Sequence, residues 1–218
     1  METNLIVHVD SSFVIVNKPA GLLTIQDGYE KNKIHLNLII KEQFPEIMTV
    51  HRLDKETSGL MVFARNEQSH RFLNSQFESR NVIKKYWVIC HNIPEWHEYL
   101  AQFPLLVNGD RKHRTIVSPR GKYSETTFLR IDSDTSKNIS LVEARPHSGY
   151  THQIRAHLSH LGHSIVGDNL YNKGLSREQQ NSNLVADRMK LHAYYLEFIH
   201  PETNQRISFS TEIPFSLN

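Results

Sequence analysis

The sequence predicts an α+β protein built on a mixed, mainly antiparallel sheet with flanking helices. Three observations carry that expectation. Short β-branched and aromatic runs recur along the 218 residues, separated by turn residues. Two stretches in the first half instead space their apolar residues at helical intervals. Hydrophobic residues make up 39% of the chain and charged residues 22%, an ordinary balance for a folded globular protein.

The elements follow in order. Leu5-Ile6-Val7-His8-Val9 and Phe13-Val14-Ile15-Val16 flank Asp10-Ser11-Ser12, which predicts an antiparallel hairpin. Its second strand should stop at Asn17-Lys18-Pro19-Ala20-Gly21, because proline lacks a ladder donor and glycine admits positive φ. Leu36, Ile39, Ile40 and Phe44 suit a helix over 34–44 that Pro45 ends. Met48-Thr49-Val50 reads as a short strand end and Leu60-Met61-Val62-Phe63-Ala64 as a mostly buried strand. A second helix is expected over 67–79, with Phe72, Leu73, Gln76 and Phe77 on its packed side. Further strands are expected at 84–91, 126–132, 140–144, 191–199 and 206–210. Between them, Thr151 should cap a helix running to about Leu161, with Ile154, Leu158 and Leu161 buried and His152, Arg155 and Ser159 on a more polar side. No repeat or low-complexity linker interrupts the chain, so a single domain over 1–218 is expected.

Bulk chemistry narrows the function. Lys plus Arg total 25 against 23 for Asp plus Glu, a formal charge of +2, so any nucleic-acid partner must be announced locally. One cysteine, Cys90, excludes an internal disulfide and a cysteine-based zinc site. No signal-like segment and no apolar run near the roughly 18 residues of a membrane span are present, so a cytoplasmic setting without membrane contact is expected. With no spare apolar stripe, a monomer without an obligate protein partner is the expectation.

Three constellations carry chemistry. In His51-Arg52-Leu53-Asp54-Lys55-Glu56-Thr57-Ser58-Gly59, a carboxylate sits on a loop just before a rigid strand, where chemistry tends to be placed; an Arg and an Asp this close can equally form a surface ion pair. Arg111, Lys112, His113, Arg114, Arg120 and Lys122 gather between 109 and 124 with little acid among them. Such a run suits a phosphate backbone, although a solvated loop has the same composition. In the third stretch, Arg145 through His157, Arg155 falls early in a helix, where the helix dipole disfavours a cation, so a carboxylate or phosphate partner is expected. His157, His160 and His163 recur at steps of three, but Gly162 should end the helix before His163 and no carboxylate joins them; no metal site is expected.

Together these stretches resemble the RluA family of RNA pseudouridine synthases over nearly the whole chain. Asn17-Lys18-Pro19-Ala20-Gly21-Leu22 resembles the family's first motif, His51 to Gly59 its catalytic motif and Lys84-Lys85-Tyr86 its basic-tyrosine motif. Thr151-His152-Gln153-Ile154-Arg155 with His157 is similar to its helix motif. Gly162-His163 to Gly167-Asp168 is similar to the segment after it, and Leu191-His192-Ala193 to His200-Pro201 to its closing strand. The resemblance implies a pseudouridine synthase catalytic fold and RNA, rRNA and/or tRNA, as substrate, with no cofactor. It implies Asp54 as the catalytic carboxylate, Tyr86 as the active-site tyrosine and Arg155 as the basic partner of Asp54. Arg52 would enter the RNA stack where the target base leaves. His51, Lys18, Lys85, Arg111, Lys112, Arg114, Lys122 and Gln153 complete the expected substrate-binding set.

Two departures stand out. Ser148-Gly149-Tyr150 replaces the family's usual Thr-Gly-Arg, removing one cation, and Ser124 replaces a small Ala. Because the first strand begins within a few residues of Met1, a compact form without the family's N-terminal S4 domain is expected. A kinase catalytic loop fits less well, since Leu53 separates Arg52 from Asp54 and no Gly-rich phosphate loop precedes them. A metal-dependent hydrolase lacks a ligand set. A non-catalytic RNA-binding module explains the basic run but gives no reason for Asp54, Tyr86 and Arg155 to coexist.

Overall fold

The computed structural model describes residues 5–26, 33–172 and 186–217. Its contacts gather into two compact units, one formed by Met1–Lys84 with Ala193–Glu212 and the other by Lys85–His192 with Ile213–Asn218.

The first unit opens with β1 (Ile6–Val9) and β2 (Phe13–Lys18), the expected antiparallel hairpin. Then come α1 (Leu36–Gln43), the two-residue β3 (Met48–Thr49), β4 (Ser58–Ala64) and α2 (Glu67–Glu78). β2 runs two residues past Val16, with Asn17 and Lys18 pairing with Leu60 and Gly59, and it yields at Pro19 as the missing ladder donor requires. Every residue of β4 is buried, as its unbroken apolar run requires of a strand covered on both faces. Helix α2 begins where the Asn66 side chain accepts from the Ser69 N–H, a regular N-cap. Phe13, Ile15, Leu60, Val62, Leu73, Leu196 and Phe198 form this unit's core.

The second unit holds β5 (Ile83–His91), β6 (Glu98–Gln102), the short ribbon β7 (Leu105–Leu106) and β8 (Ile116–Val117), β9 (Glu125–Asp134), β10 (Ile139–Pro146) and α3 (Gln153–His160). Strands β5, β10, β9 and β6 lie side by side in that order, antiparallel throughout, and α3 covers one face through Ile154 and Leu158. Strand β11 (Leu191–Ile199) and β12 (Arg206–Ser210) close the chain as an antiparallel pair. The described strands and three helices together give the mixed, mainly antiparallel α+β fold expected. Among the described residues, no helix is long and apolar enough to cross a membrane.

Two expectations about α3 fail. Its N-cap is His152 in the left-handed region, φ 57°, with no side-chain cap, so Thr151 does not cap it. Gln153 does that work by another route: its Oε1 accepts from the Tyr150 N–H at 3.2 Å while its own N–H donates to the Tyr150 carbonyl at 3.1 Å. Nor is Leu161 buried with Ile154 and Leu158, being only half-buried at the helix end; on the more polar side His152 and Ser159 are half-buried, while Arg155 is as buried as Ile154 because Asp168 of the same unit meets it.

Candidate functional site

The loop that carries Asp54 is held from below by the segment after β2. Lys18 is fully buried, and its ammonium donates to the carbonyls of Pro19 (3.0 Å), Leu22 (2.7 Å) and Lys55 (3.0 Å). A second bond to the Lys55 carbonyl comes from the Gly21 N–H at 2.9 Å, with Gly21 at φ +83°, a conformation open to glycine. Thr24, also buried, clamps Leu53 on both sides: its hydroxyl donates to the Leu53 carbonyl at 2.9 Å and accepts from the Leu53 N–H at 3.2 Å. The Thr57 N–H closes the turn on the Asp54 carbonyl at 3.1 Å. Asp54 therefore sits, half-buried, on a backbone whose neighbours on both sides are pinned, while Arg52 beside it is exposed. Such preorganisation is what a reacting group needs to hold its geometry.

His51 begins the same loop but faces inward. Its Nε2 accepts from the Val62 N–H at 3.1 Å, and its ring stacks on Phe77 with centroids 4.5 Å apart. An imidazole that accepts a backbone N–H must be neutral there; burial, reinforced by the Lys84 ammonium, pushes its pKa down to about 3. Lys84 also lies over the Phe77 ring, 5.9 Å from its centroid, and burial brings its pKa down to about 8.

In the second unit, Tyr86 on β5 stands opposite Ala144 of β10 and packs, half-buried, against the core lined by Ile154 and Leu158. Lys85 points to the other face of the strand by simple alternation. Arg155 has the anionic partner its place in the helix demanded: its Nε and Nη2 donate to Oδ2 and Oδ1 of Asp168 at 2.7 and 3.0 Å. Gln153 has both ends of its amide engaged, accepting from Ser148 Oγ and Tyr150 N and donating to the Glu125 carbonyl and Thr126 Oγ1. His157 bridges Ser124 and Thr126 at 2.9 and 3.0 Å, giving the unusual Ser124 a partner. His160 packs edge-on to Phe103, and His163 meets the His91 carbonyl.

The basic run is split by the β7–β8 ribbon. Arg111, Lys112 and Lys122 are exposed. Arg114 instead pairs with Asp110 at 2.7 Å and lies 5.8 Å from the Tyr171 ring centroid, tying the ribbon's tip to the body of the unit. Gly121 is required where the chain after β8 passes Leu105, since a Cβ there would lie 2.4 Å from the Leu105 backbone. The expected residues thus separate into exposed groups (Arg52, Arg111, Lys112, Lys122), half-buried ones (Asp54, Lys85, Tyr86, Arg114) and interior ones (Lys18, Gln153, Arg155), with His51 turned into its own unit. Sequence reasoning missed Thr24 and Tyr171, which no local pattern marks, and passed over Asp168 although it stood in one of the quoted segments.

The pinning of the loop is testable. Lys18→Met keeps the length of the side chain and removes the donor shared by the Pro19, Leu22 and Lys55 carbonyls, of which that of Lys55 keeps a second donor in the Gly21 N–H, so a loss of about 1–3 kcal/mol is expected in urea unfolding. A neutral result would mean that the ammonium contributes nothing to the loop.

Buried histidines set an acid limit. Burial brings His157 and His192 down to about 4, alongside His51 at about 3. Between those values and the ordinary pKa near 6.5, the unfolded chain binds protons that the folded one does not. Stability should therefore be full above about pH 6.5 and fall as pH drops toward about 4. Melting followed by circular dichroism at pH 7.5 and pH 5 checks this, and an unchanged Tm would contradict it.

Comparison with known proteins gives a consistent answer. A family described as RNA pseudouridylate synthase matches residues 12–160. The dual-specificity RNA pseudouridine synthase RluA of Vibrio vulnificus is 33% identical over 203 residues, covering 91% of this chain and 79% of that one. RluA of Escherichia coli strain K12 is 31% identical, covering 97% of this chain and 94% of its own length. Among solved structures, human RNA Pseudouridylate Synthase Domain Containing 1 superposes with a TM-score of 0.79 at 26% identity, over 97% of this chain and 84% of that one.

Proposed function

This chain belongs to the RluA-type RNA pseudouridylate synthases and is an isomerase of uridine in RNA, and from that premise we propose that Asp54 is its catalytic carboxylate and that rRNA, tRNA or both are its substrates. The observation that supports Asp54 is the loop itself: a half-buried carboxylate whose flanking backbone is pinned by Lys18, Gly21 and Thr24. The substrate classes rest on the names of relatives, the dual-specificity RluA enzymes and a ribosomal large subunit pseudouridine synthase D of Zymomonas mobilis that is 32% identical over 96% of this chain, with the exposed Arg111, Lys112 and Lys122 as phosphate contacts.

The reaction breaks the C1′–N1 bond, turns the freed uracil and joins C1′ to C5; C5 loses a proton and N1 gains one, with no net redox change. Asp54 either attacks C1′ or supports elimination across C1′ and C2′. Tyr86 offers its ring to the base and its hydroxyl to proton transfer, and Arg155 serves as the cation of the site. Lys18, His51 and Gln153, whose polar atoms have interior partners, act by positioning rather than by touching RNA. In this reading the two units work as one catalytic domain, as a cytoplasmic monomer that needs no cofactor.

Since the target atom is stacked inside folded RNA, the base must leave the stack, which costs a few kcal/mol. Arg52, exposed beside Asp54, fills the vacated space. Arg52→Ala is expected to slow turnover on a structured transcript at least about tenfold more than on an unstructured uridine oligomer, a difference of about 1.4 kcal/mol. Equal losses on both would remove that role. Tritium release from 5-tritiated uridine in separate tRNA and 23S rRNA transcripts assigns the substrate class. Binding without release by the wild type would favour a non-catalytic RNA-binding module instead.

A further inference from the structure

We propose that Asp168 is a positioning residue for the reaction, fixing the plane of the Arg155 guanidinium; this rests on the reading of Arg155 as a group of the active site. The two side chains are 7% and 1% exposed, and they meet as a two-point fork rather than a single contact. The carboxylate is itself anchored. Its Oδ1 also accepts the N–H groups of Leu170 and Tyr171 at 3.0 and 3.2 Å, so it cannot rotate without breaking the turn that carries it. That turn follows Gly167 at φ +79°, where a Cβ would lie 2.2 Å from the Arg188 carbonyl oxygen, so the backbone entering it is also fixed.

A third contact completes the mount. The Tyr171 ring lies 5.0 Å from the guanidinium carbon of Arg155. Its hydroxyl accepts from the Thr115 N–H at 2.9 Å, donates to the Thr115 carbonyl at 3.0 Å and lies 3.2 Å from His152 Nδ1. Arg155 is thus held edge-on by Asp168 and by its face on Tyr171, from two directions. A buried ion pair of this kind gives little net stability over well-packed apolar residues, whereas a fork fixes direction. Direction matters in a transition state: a displacement of about 1 Å can cost about 100-fold in rate.

The test uses the full chain and tritium release at several RNA concentrations, with Asp168→Asn, Arg155→Ala and the double variant. Asparagine keeps the Oδ1 acceptor for Leu170 and Tyr171 but loses the charge and one arm of the fork. The expected result is a kcat about 10–100-fold below wild type with KM within about threefold, as misplacement of a reacting group gives. The double variant should be no slower than Arg155→Ala alone, because Asp168 acts through Arg155. A folded Asp168→Asn variant with kcat within twofold of wild type, beside an inactive Arg155→Ala, overturns the proposal, as do losses that multiply in the double variant. Arg155→Ala with wild-type turnover would overturn the reading of Arg155 itself, and the positioning role with it. Should circular dichroism show the Asn variant unfolded, Asp168→Glu carries the test. It keeps the charge and shifts the fork by one methylene, so the same fall in kcat is expected and wild-type kcat refutes it.

Discussion

Asp54→Asn is expected to lower pseudouridine formation by at least about 10³-fold, the scale on which removal of a reacting group acts, while RNA affinity stays within about threefold. The substitution is nearly isosteric, and the loop beneath it is held by bonds that do not involve the Asp54 side chain: Lys18 and Gly21 on the Lys55 carbonyl, Thr24 on Leu53, and the Thr57 N–H on the Asp54 carbonyl. These bonds persist in the variant, so the loop keeps its anchorage and the loss should fall on kcat. Single-turnover tritium release beside a filter-binding titration separates the two quantities. A fall in affinity matching the fall in rate would point to a binding role for the carboxylate.

Gly59→Ala should have the largest effect on stability, more than about 4 kcal/mol, in the exceptional range for a point substitution. Gly59 is the second residue of β4 at φ +119°, and a Cβ there would lie 2.2 Å from the Ala193 carbonyl oxygen and 2.5 Å from the Ala193 nitrogen. Both obstacles are backbone, so no side-chain rotation relieves them, and the φ value alone is strained for any L side chain. The consequence reaches the site, because Gly59 ends the loop that Asp54 occupies and pairs with Lys18 across β2. Urea denaturation against wild type measures it. A difference under about 1 kcal/mol would mean that the strand spacing at Ala193 yields readily.

What the sequence discloses and what it hides divide along a physical line. The unbroken apolar run of β4 and the helical spacing in α2 were readable because burial of a local pattern is decided locally. So were the bounds of β11 and β12, whose ends carry their own turn residues. Arg155 was legible as a cation in need of an anionic partner, but the identity of that partner was not, because what buries Arg155 and His157 lies elsewhere in the chain: Asp168 for one, Ser124 and Thr126 for the other. The same holds for Lys18, which reads as a loop cation but becomes a buried brace once the Lys55 carbonyl arrives from 37 residues away. Strand β6, Glu98–Gln102, escaped because it carries no β-branched residue, and the two-residue ribbon of β7 and β8 because it exists only through its own pairing. Asp54, Tyr86 and Arg155 were legible as a set only by resemblance, since each residue by itself has an unremarkable local explanation.

Catalysis by Asp54 is read out by tritium release from 5-tritiated uridine in tRNA and 23S rRNA transcripts, with wild type beside Asp54→Asn and the products digested to nucleosides. Release by the wild type from at least one transcript is expected, matched by an equal amount of pseudouridine, with none by Asp54→Asn. Release by Asp54→Asn at the wild-type rate, or wild-type protein that binds both transcripts and leaves every uridine unchanged, would contradict that role.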